Sequence, residues 1–197
     1  MPEAQETMEH AVHAEHAAHS NRKIAMVIAV LALFLSFSET LGKSAQTEAI
    51  DANVRASDAW AFFQAKDIRK TTVLTAADQT ALLAAGFSDP AAKAAADKQI
   101  ETWRKTAERY ESDPKTGNGR KELAERAKEE EGKRDLSLAR YHHYELSSAA
   151  FQIGIVLASA AVITEMIGLA WFAGLLGAGG LVLLGLGLFA PHFLPLA

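Results

Sequence analysis

The last 52 residues of the chain, 146–197, contain a single formal charge, that of Glu165. A soluble domain of this size cannot bury so long an apolar run, and a helix that crosses a bilayer needs about 20 apolar residues. The run therefore predicts two membrane-spanning helices joined by a short turn. A third apolar stretch, residues 24–38, lies near the N-terminus. The sequence predicts an all-α membrane protein with three transmembrane helices.

The segment between the first and second spans has a different chemistry. Residues 43–147 carry 18 basic and 18 acidic side chains, so this segment has no net charge. A balanced surface argues against nucleic acid as a partner, because phosphate binding needs a basic patch. The chain has no cysteine, which excludes disulfides and thiolate metal sites.

Helix-breaking residues divide the charged segment into long helices. Good helix formers continue from the first span with no breaker before Gly86, which predicts one long helix that extends as an arm outside the membrane. Asp89 and Pro90 predict a new helix start, residues 113–119 predict a loop, and a third helix is expected from Arg120. The predicted organisation is a polar tail (1–21), transmembrane helix 1 (22–41), a helical extramembrane domain (42–146), transmembrane helix 2 (147–170), transmembrane helix 3 (173–190) and a C-terminal end (191–197).

Two sets of residues indicate helix packing. One has the 3-4-3 spacing of a helix-pair seam, and the other consists of small residues that allow helices to approach closely. The first set is Ile100, Trp103, Ala107 and Tyr110; the second is Gly174, Gly177, Gly180, Gly185 and Gly187. The alternative for the glycines is that this residue is simply common in membrane helices.

The segment 53–69, NVRASDAWAFFQAKDIR, resembles an uncharacterised family of bacterial membrane proteins described as a domain of unknown function (DUF4337-like). The resemblance implies a bacterial inner-membrane location and supplies no activity, cofactor or catalytic residue. The segment forms one helical face, which is either a docking face for a partner or the packing face of the domain's own bundle. The residues singled out on it are Trp60, Phe63, Gln64, Lys66 and Arg69.

Charges inside or beside the apolar stretches are candidate functional groups, because a carboxylate within a bilayer costs roughly 3 kcal/mol. Glu39 lies at the loop end of the first span and precedes Lys43 by four residues. Glu165 is expected at the opposite face, at the depth of Arg22 and Lys23. A structural ion pair is the main hypothesis for Glu165, and ion or proton transport is the alternative.

Four histidines recur at every third position of the N-terminal tail: His10, His13, His16 and His19. This spacing brings imidazoles together on neighbouring turns of a helix, so weak metal binding is one interpretation of the tail. No nucleophile elbow, phosphate-binding loop or zinc-protease motif appears, and the sequence predicts neither an enzyme nor a cofactor.

The function expected from the sequence is that of a homo-oligomeric scaffold or adaptor in the bacterial inner membrane. Its partners would be membrane lipid, further copies of the chain and an unidentified protein. The alternatives are an ion or proton channel or transporter that uses Glu165, and a metal-responsive protein that uses the histidine tail. Basic residues near the membrane, such as Lys43 and Arg140, place the charged segment in the cytoplasm by the positive-inside rule.

Overall fold

A computed structural model describes the backbone of residues 2–193 and the side chains of residues 22–193. Four α-helices account for almost all of the described backbone: α1 (Pro2–Ala84), α2 (Pro90–Glu111), α3 (Arg120–Thr164) and α4 (Ile167–Phe189). Three helical segments, Arg22–Ala84, Arg120–Thr164 and Ile167–Phe189, are long and apolar enough to cross a membrane. The predicted all-α class, the long first helix and the helix start at Arg120 are confirmed.

The chain divides into two compact units, which are described separately. The apolar unit contains Met1–Glu48 and Leu136–Ala197, and the charged unit contains Ala49–Asp135. The apolar unit thus holds the whole of α4. The charged unit holds α2, the second part of α1 and the first part of α3.

The buried residues of α1 in the apolar unit are seven, seven, four and three positions apart. They include Ile24, Leu31, Ser38, Gly42 and Ala45. Ile24 belongs to a cluster with residues of α3 and α4, including Ala158 and Ala173. This spacing is typical of a helix seam, so one face of α1 packs against the other helices of this unit.

Helix α4 presents small residues to the rest of the apolar unit. A Cβ atom added at Gly177 would lie 2.6 Å from Leu31 Cδ2, one at Gly180 would lie 2.8 Å from Phe151 Cε1, and one at Gly187 would lie 2.7 Å from Tyr144 Cε1. The buried positions of α4 are Ala173, Gly177, Gly180, Leu184 and Gly187.

The two remaining glycines of the predicted packing set behave differently. A Cβ atom at Gly174 or Gly185 would meet nothing within 4 Å in the described part of the chain. The prediction of close packing is therefore confirmed within one copy for Gly177, Gly180 and Gly187, whereas the described part of one copy supplies no such neighbour for Gly174 and Gly185.

The turn between α3 and α4 lies earlier than the sequence suggested. Helix α3 ends at Thr164 and α4 begins at Ile167, so Trp171 and Phe172 lie within α4 and not in the turn. Glu165 has a φ of 56°, in the left-handed region, and Met166 is the extended N-cap of α4. The physical reason is the charge of Glu165, which costs less free energy at a helix end than inside an apolar helix.

Alanine dominates the buried seam of the charged unit. The α1 residues Ala49, Ala52, Ala56 and Ala59 are buried at intervals of three and four, and Leu123 and Ala127, one helical turn apart on α3, are also buried. Helix α2 begins after the Asp89 N-cap, whose carboxylate accepts a hydrogen bond from the Ala91 amide at 2.9 Å. Of the predicted α2 seam, Ile100 and Ala107 are buried, whereas Trp103 and Tyr110 are half-buried.

The loop between α2 and α3 is closed by one carboxylate. Glu122 accepts a hydrogen bond from Ser112 Oγ at 2.6 Å and another from the Asp113 amide at 3.2 Å. Gly119 is buried beside this contact, and a Cβ atom there would lie 2.5 Å from Asp113 N and 2.6 Å from Ser112 Cα. Backbone atoms cannot move aside as a flexible side chain can, so this position requires glycine.

The Gly119→Ala variant is expected to lose about 1–3 kcal/mol of unfolding free energy, because the methyl group collides with backbone. Its matched control is Gly132→Ala, since a Cβ atom at Gly132 in α3 meets nothing within 4 Å. Alanine is the better helix former, so the control should gain about 0.5–1 kcal/mol. Chemical denaturation of the two purified variants measures both values, and an equal effect at the two positions would contradict the loop geometry.

Candidate functional site

The aromatic segment of α1 packs inside the charged unit. Trp60 Nε1 donates a hydrogen bond to Glu131 Oε1 of α3 at 2.9 Å. The Trp60 and Phe63 rings meet edge to face, with centroids 5.4 Å apart and planes at 82°. These contacts fix the register of α1 against α3, because an indole N–H and an aromatic edge both need a specific neighbour.

Arg120, the first residue of α3, joins all three helices of the charged unit. Its guanidinium carbon lies 4.8 Å from the centroid of the Phe63 ring. Its Nη1 donates to Glu111 Oε2 of α2 at 2.8 Å, and its Nε lies 3.1 Å from Asp67 Oδ1 of α1. Lys70 Nζ donates to the same Glu111 oxygen at 2.7 Å. A planar guanidinium suits this position, because it stacks on a ring while its edge pairs with carboxylates.

The sequence-predicted face divides into inward and outward residues. Lys66 Nζ lies 5.1 Å from the centroid of the Tyr110 ring of α2, so Lys66 joins Trp60 and Phe63 in helix packing. Gln64 and Arg69 are exposed. Three of the five singled-out residues thus pack within the unit, as the bundle interpretation expects, and two face solvent.

Several carboxyl groups of this unit have pKa values below their usual range. The hydrogen bond from Lys70 lowers the pKa of Glu111, the hydrogen bond from Ser112 lowers that of Glu122, and the hydrogen bond from Lys133 lowers that of Glu130. A carboxyl group with a depressed folded-state pKa stabilises the fold above its unfolded-state pKa of about 4.3. This stabilisation disappears as the pH falls through the folded-state value.

The charged unit is therefore expected to lose protection at acid pH. In hydrogen–deuterium exchange of the full chain, corrected for intrinsic rates, residues 108–123 should exchange faster at pH 3.5 than at pH 6. The Glu122→Gln variant removes one titrating group, so its protection should depend less steeply on pH. Equal pH dependence in the variant and the wild type would show that the Glu122 contacts do not hold the loop.

A second face of α1 in the charged unit carries apolar side chains that are exposed. Successive residues advance about 100° around a helix, which places four of these residues on one side and the buried alanines on the opposite side. We call them the α1 stripe: Ile50, Val54, Ala61 and Ile68. Ile50 is 60% exposed, Val54 52% and Ile68 68%. A stripe of exposed apolar side chains on a polar helix is typical of an interaction surface.

Glu39 lies in a polar groove between α1 and α3 of the apolar unit. Gln152 Nε2 donates a hydrogen bond to Glu39 Oε1 at 3.2 Å. The expected i,i+4 partner, Lys43, lines the same groove but makes no ion pair with Glu39 among the described side chains. The groove therefore contains a carboxylate with a neutral partner and a nearby free ammonium group.

Glu165 lies in the turn between α3 and α4 and is exposed. Ile24 packs near Ala161 and Ala173, so the start of the apolar part of α1 lies at the same end of the unit as this turn, as the depth argument expected. Arg22 and Lys23 are also exposed, and the described ion pairs include none between them and Glu165. The turn position leaves Glu165 outside the helices of the unit.

A buried histidine was not identified from the sequence. His143 is fully buried, and its Nε2 lies 3.1 Å from the Pro191 carbonyl oxygen, just beyond α4. The adjacent His142 is half-buried and lies 3.9 Å from Glu145 Oε2. The sequence does contain a signal for this burial. His143 is four residues before Ser147 and eleven before Gly154, so the three lie on one face of α3, and all three are buried. His143 ties α3 to the end of α4.

The histidine tail lies outside the residues whose side chains the structure describes. His10, His13, His16 and His19 belong to the described backbone of α1, and weak metal binding by them stays a prediction. Within residues 22–193, no group of three or more metal-ligating side chains is arranged around a common point.

Comparison with known proteins assigns the chain to a family. No curated protein and no solved structure matches it significantly. One family model, described as a domain of unknown function (DUF4337), matches residues 20–190. The match covers both units, including the α1 stripe, the Arg120 contacts and the glycines of α4. The chain therefore belongs to the DUF4337 family.

Proposed function

We propose that the protein is a homo-oligomeric scaffold in the bacterial inner membrane, which it crosses with α1, α3 and α4. The apolar unit would lie in the bilayer, and the charged unit would lie on its cytoplasmic side. The proposal rests on the three helices that are long and apolar enough to span a bilayer and on the apolar stripe of the charged unit. The bacterial inner membrane is inferred from the sequence resemblance.

The observation that carries the proposal is the α1 stripe. Large apolar side chains in the apolar unit would be covered by lipid, but those of a charged unit outside the bilayer would face water. Ile68, which is 68% exposed, also lines a groove of about 540 Å³ with Thr72 and Thr75. A second helix laid along the stripe would remove these side chains from water, at about 25 cal/mol per Å² of apolar surface.

We propose a second copy of the chain as the occupant of the stripe. Two copies in one membrane enter it in the same direction, so their α1 helices would run parallel. In a parallel pair with the stripe at the a and d positions, Asn53 of one copy would face Asp58 of the other. The Asn53 amide could donate a hydrogen bond to the Asp58 carboxylate. This pairing brings no two like charges together.

The Ile68→Asp variant tests this proposal by burying a carboxylate in the pairing surface. We expect the wild-type chain to be a dimer or larger by light scattering in mild detergent, and the variant to have a lower mass. The matched control is Gln99→Asp on α2, which adds the same charge at an exposed position. A monomeric wild type, or equal masses for the wild type and Ile68→Asp, would refute the proposal.

A further inference from the structure

A polar groove lies where the apolar unit changes from apolar to charged sequence. It has a volume of about 530 Å³ and runs between α1 and α3. Its lining includes Ser38, Glu39 and Lys43 of α1 and Glu145 and Gln152 of α3. Residue 38 ends the apolar stretch 24–38, so in a membrane this groove would open at the depth of the lipid headgroups.

The floor of the groove is fixed by packing. Tyr144 and Ser38 are buried, and the Ser38 hydroxyl donates a hydrogen bond to the Tyr144 carbonyl oxygen at 2.8 Å. A Cβ atom at Gly42 would lie 3.4 Å from Tyr144 Cβ, so the two helices are close at this point. The floor of the groove is thus set by the helix seam.

Both carboxylates of the groove have neutral hydrogen-bond donors. Gln152 donates to Glu39, and the Tyr141 hydroxyl donates to Glu145 at 3.3 Å. The nearest basic group to Glu145 is His142, at 3.9 Å. Lys43 makes no ion pair among the described side chains, although it lies in the groove with both acids. The groove therefore has one free ammonium group and two carboxylates with unused acceptor capacity.

We propose that this groove binds the headgroup of a zwitterionic phospholipid with a primary amine, a phosphatidylethanolamine. Lys43 would contact the phosphate, and Glu39 and Glu145 would accept hydrogen bonds from the ammonium group. A primary ammonium has three N–H donors, which a choline headgroup lacks, and an anionic glycerol headgroup has no cation for the carboxylates. This inference rests on the membrane placement proposed above, and it does not depend on self-association.

The test uses the full chain in nanodiscs of equal parts phosphatidylethanolamine, phosphatidylcholine and phosphatidylglycerol. After transfer to detergent, native mass spectrometry measures which lipid stays bound. We expect phosphatidylethanolamine to be enriched over the other two lipids. The Lys43→Gln variant should reduce this enrichment about tenfold, since a charge-assisted hydrogen bond is lost. If Lys43→Gln folds poorly, the Glu145→Gln variant provides a second change in the groove, and it should also reduce the enrichment.

Controls separate the groove from general charge effects and the lipid from its free headgroup. Asp135→Asn and Lys23→Gln change exposed charges away from the groove and should leave the enrichment unchanged. Soluble glycerophosphoethanolamine should compete only at much higher concentration, because it has no acyl chains to contact the apolar helices. Competition at equal concentration would overturn the assignment to a lipid.

Two results would overturn the inference as a whole: equal retention of the three lipids, or enrichment that survives both groove variants. A chain that fails to enter membranes at all would instead refute the proposed function. Extraction of native membranes with alkaline carbonate distinguishes these cases, because it removes peripheral proteins and leaves integral ones.

Discussion

The Gly180→Leu variant is expected to lose about 3 kcal/mol or more of unfolding free energy, because the new side chain must displace Phe151. Phe151 is fully buried and stacks on Phe34 with ring centroids 6.0 Å apart. A Cβ atom at Gly180 would already lie 2.8 Å from the Phe151 ring, and leucine adds three more carbons. Thermal unfolding of the purified variant in detergent measures the loss.

Gly174→Leu is the matched control for this substitution. Gly174 lies on the same helix, and a Cβ atom there meets nothing within 4 Å in the described chain. The same change should therefore shift stability by no more than about 0.5 kcal/mol. If both leucine variants unfold at the same temperature, the packing of α4 against α3 is not as described.

The Arg120→Met variant is expected to destabilise the charged unit by about 1–3 kcal/mol, because it leaves Asp67 without its cation and Glu111 with Lys70 alone. The side chain of Arg120 is 23% exposed, so solvent screens part of the effect. Hydrogen–deuterium exchange of residues 60–70 and 108–123 measures the local loss, since these segments meet at Arg120.

Two further variants test the geometry of this contact. Arg120→Lys keeps the charge but loses the planar fork, so an intermediate effect is expected. Lys121→Met removes a neighbouring exposed charge and should leave exchange unchanged. Wild-type protection in Arg120→Met would show that the three helices are held together elsewhere.

Much of the helical plan could be predicted from residues with strong local effects. Asp89 and Pro90 predicted the start of α2, because a carboxylate cap and a fixed φ both favour a helix N-terminus. The long α1 followed from the absence of breakers before Gly86. The sequence placed Trp60 and Phe63 on one helical face but left open whether that face docks a partner or packs in the bundle, and their contacts now favour packing.

The main seam of the charged unit could not be predicted in the same way. Its α1 residues Ala49, Ala52, Ala56 and Ala59 are buried, but alanine is the strongest helix former and also suits exposed helix positions. A hydrophobic pattern distinguishes leucine from lysine, not a buried alanine from an exposed one. The α1 stripe on the opposite side of the helix was not predicted either. Its exposure could be inferred only once the alanine face was known to be the buried face of α1.

The turn between α3 and α4 was placed too late because glycine was treated as the stronger signal. Glycine is well tolerated in apolar helices, whereas a charge is not. Glu165 is the one formal charge in residues 146–197, and the helix ends beside it. In an apolar run of this kind, the charged residue is the better marker of a turn.

The most direct test of the proposed self-association is disulfide crosslinking in native membranes. The chain has no cysteine, so the Ile68→Cys variant contains a single thiol at the α1 stripe. Two such residues crosslink only when their Cβ atoms approach to about 4 Å. Lys128→Cys, on an exposed position of α3, is the control. We expect a covalent dimer from Ile68→Cys under mild oxidation and little or none from the control; equal crosslinking of the two variants would contradict a scaffold that assembles through α1.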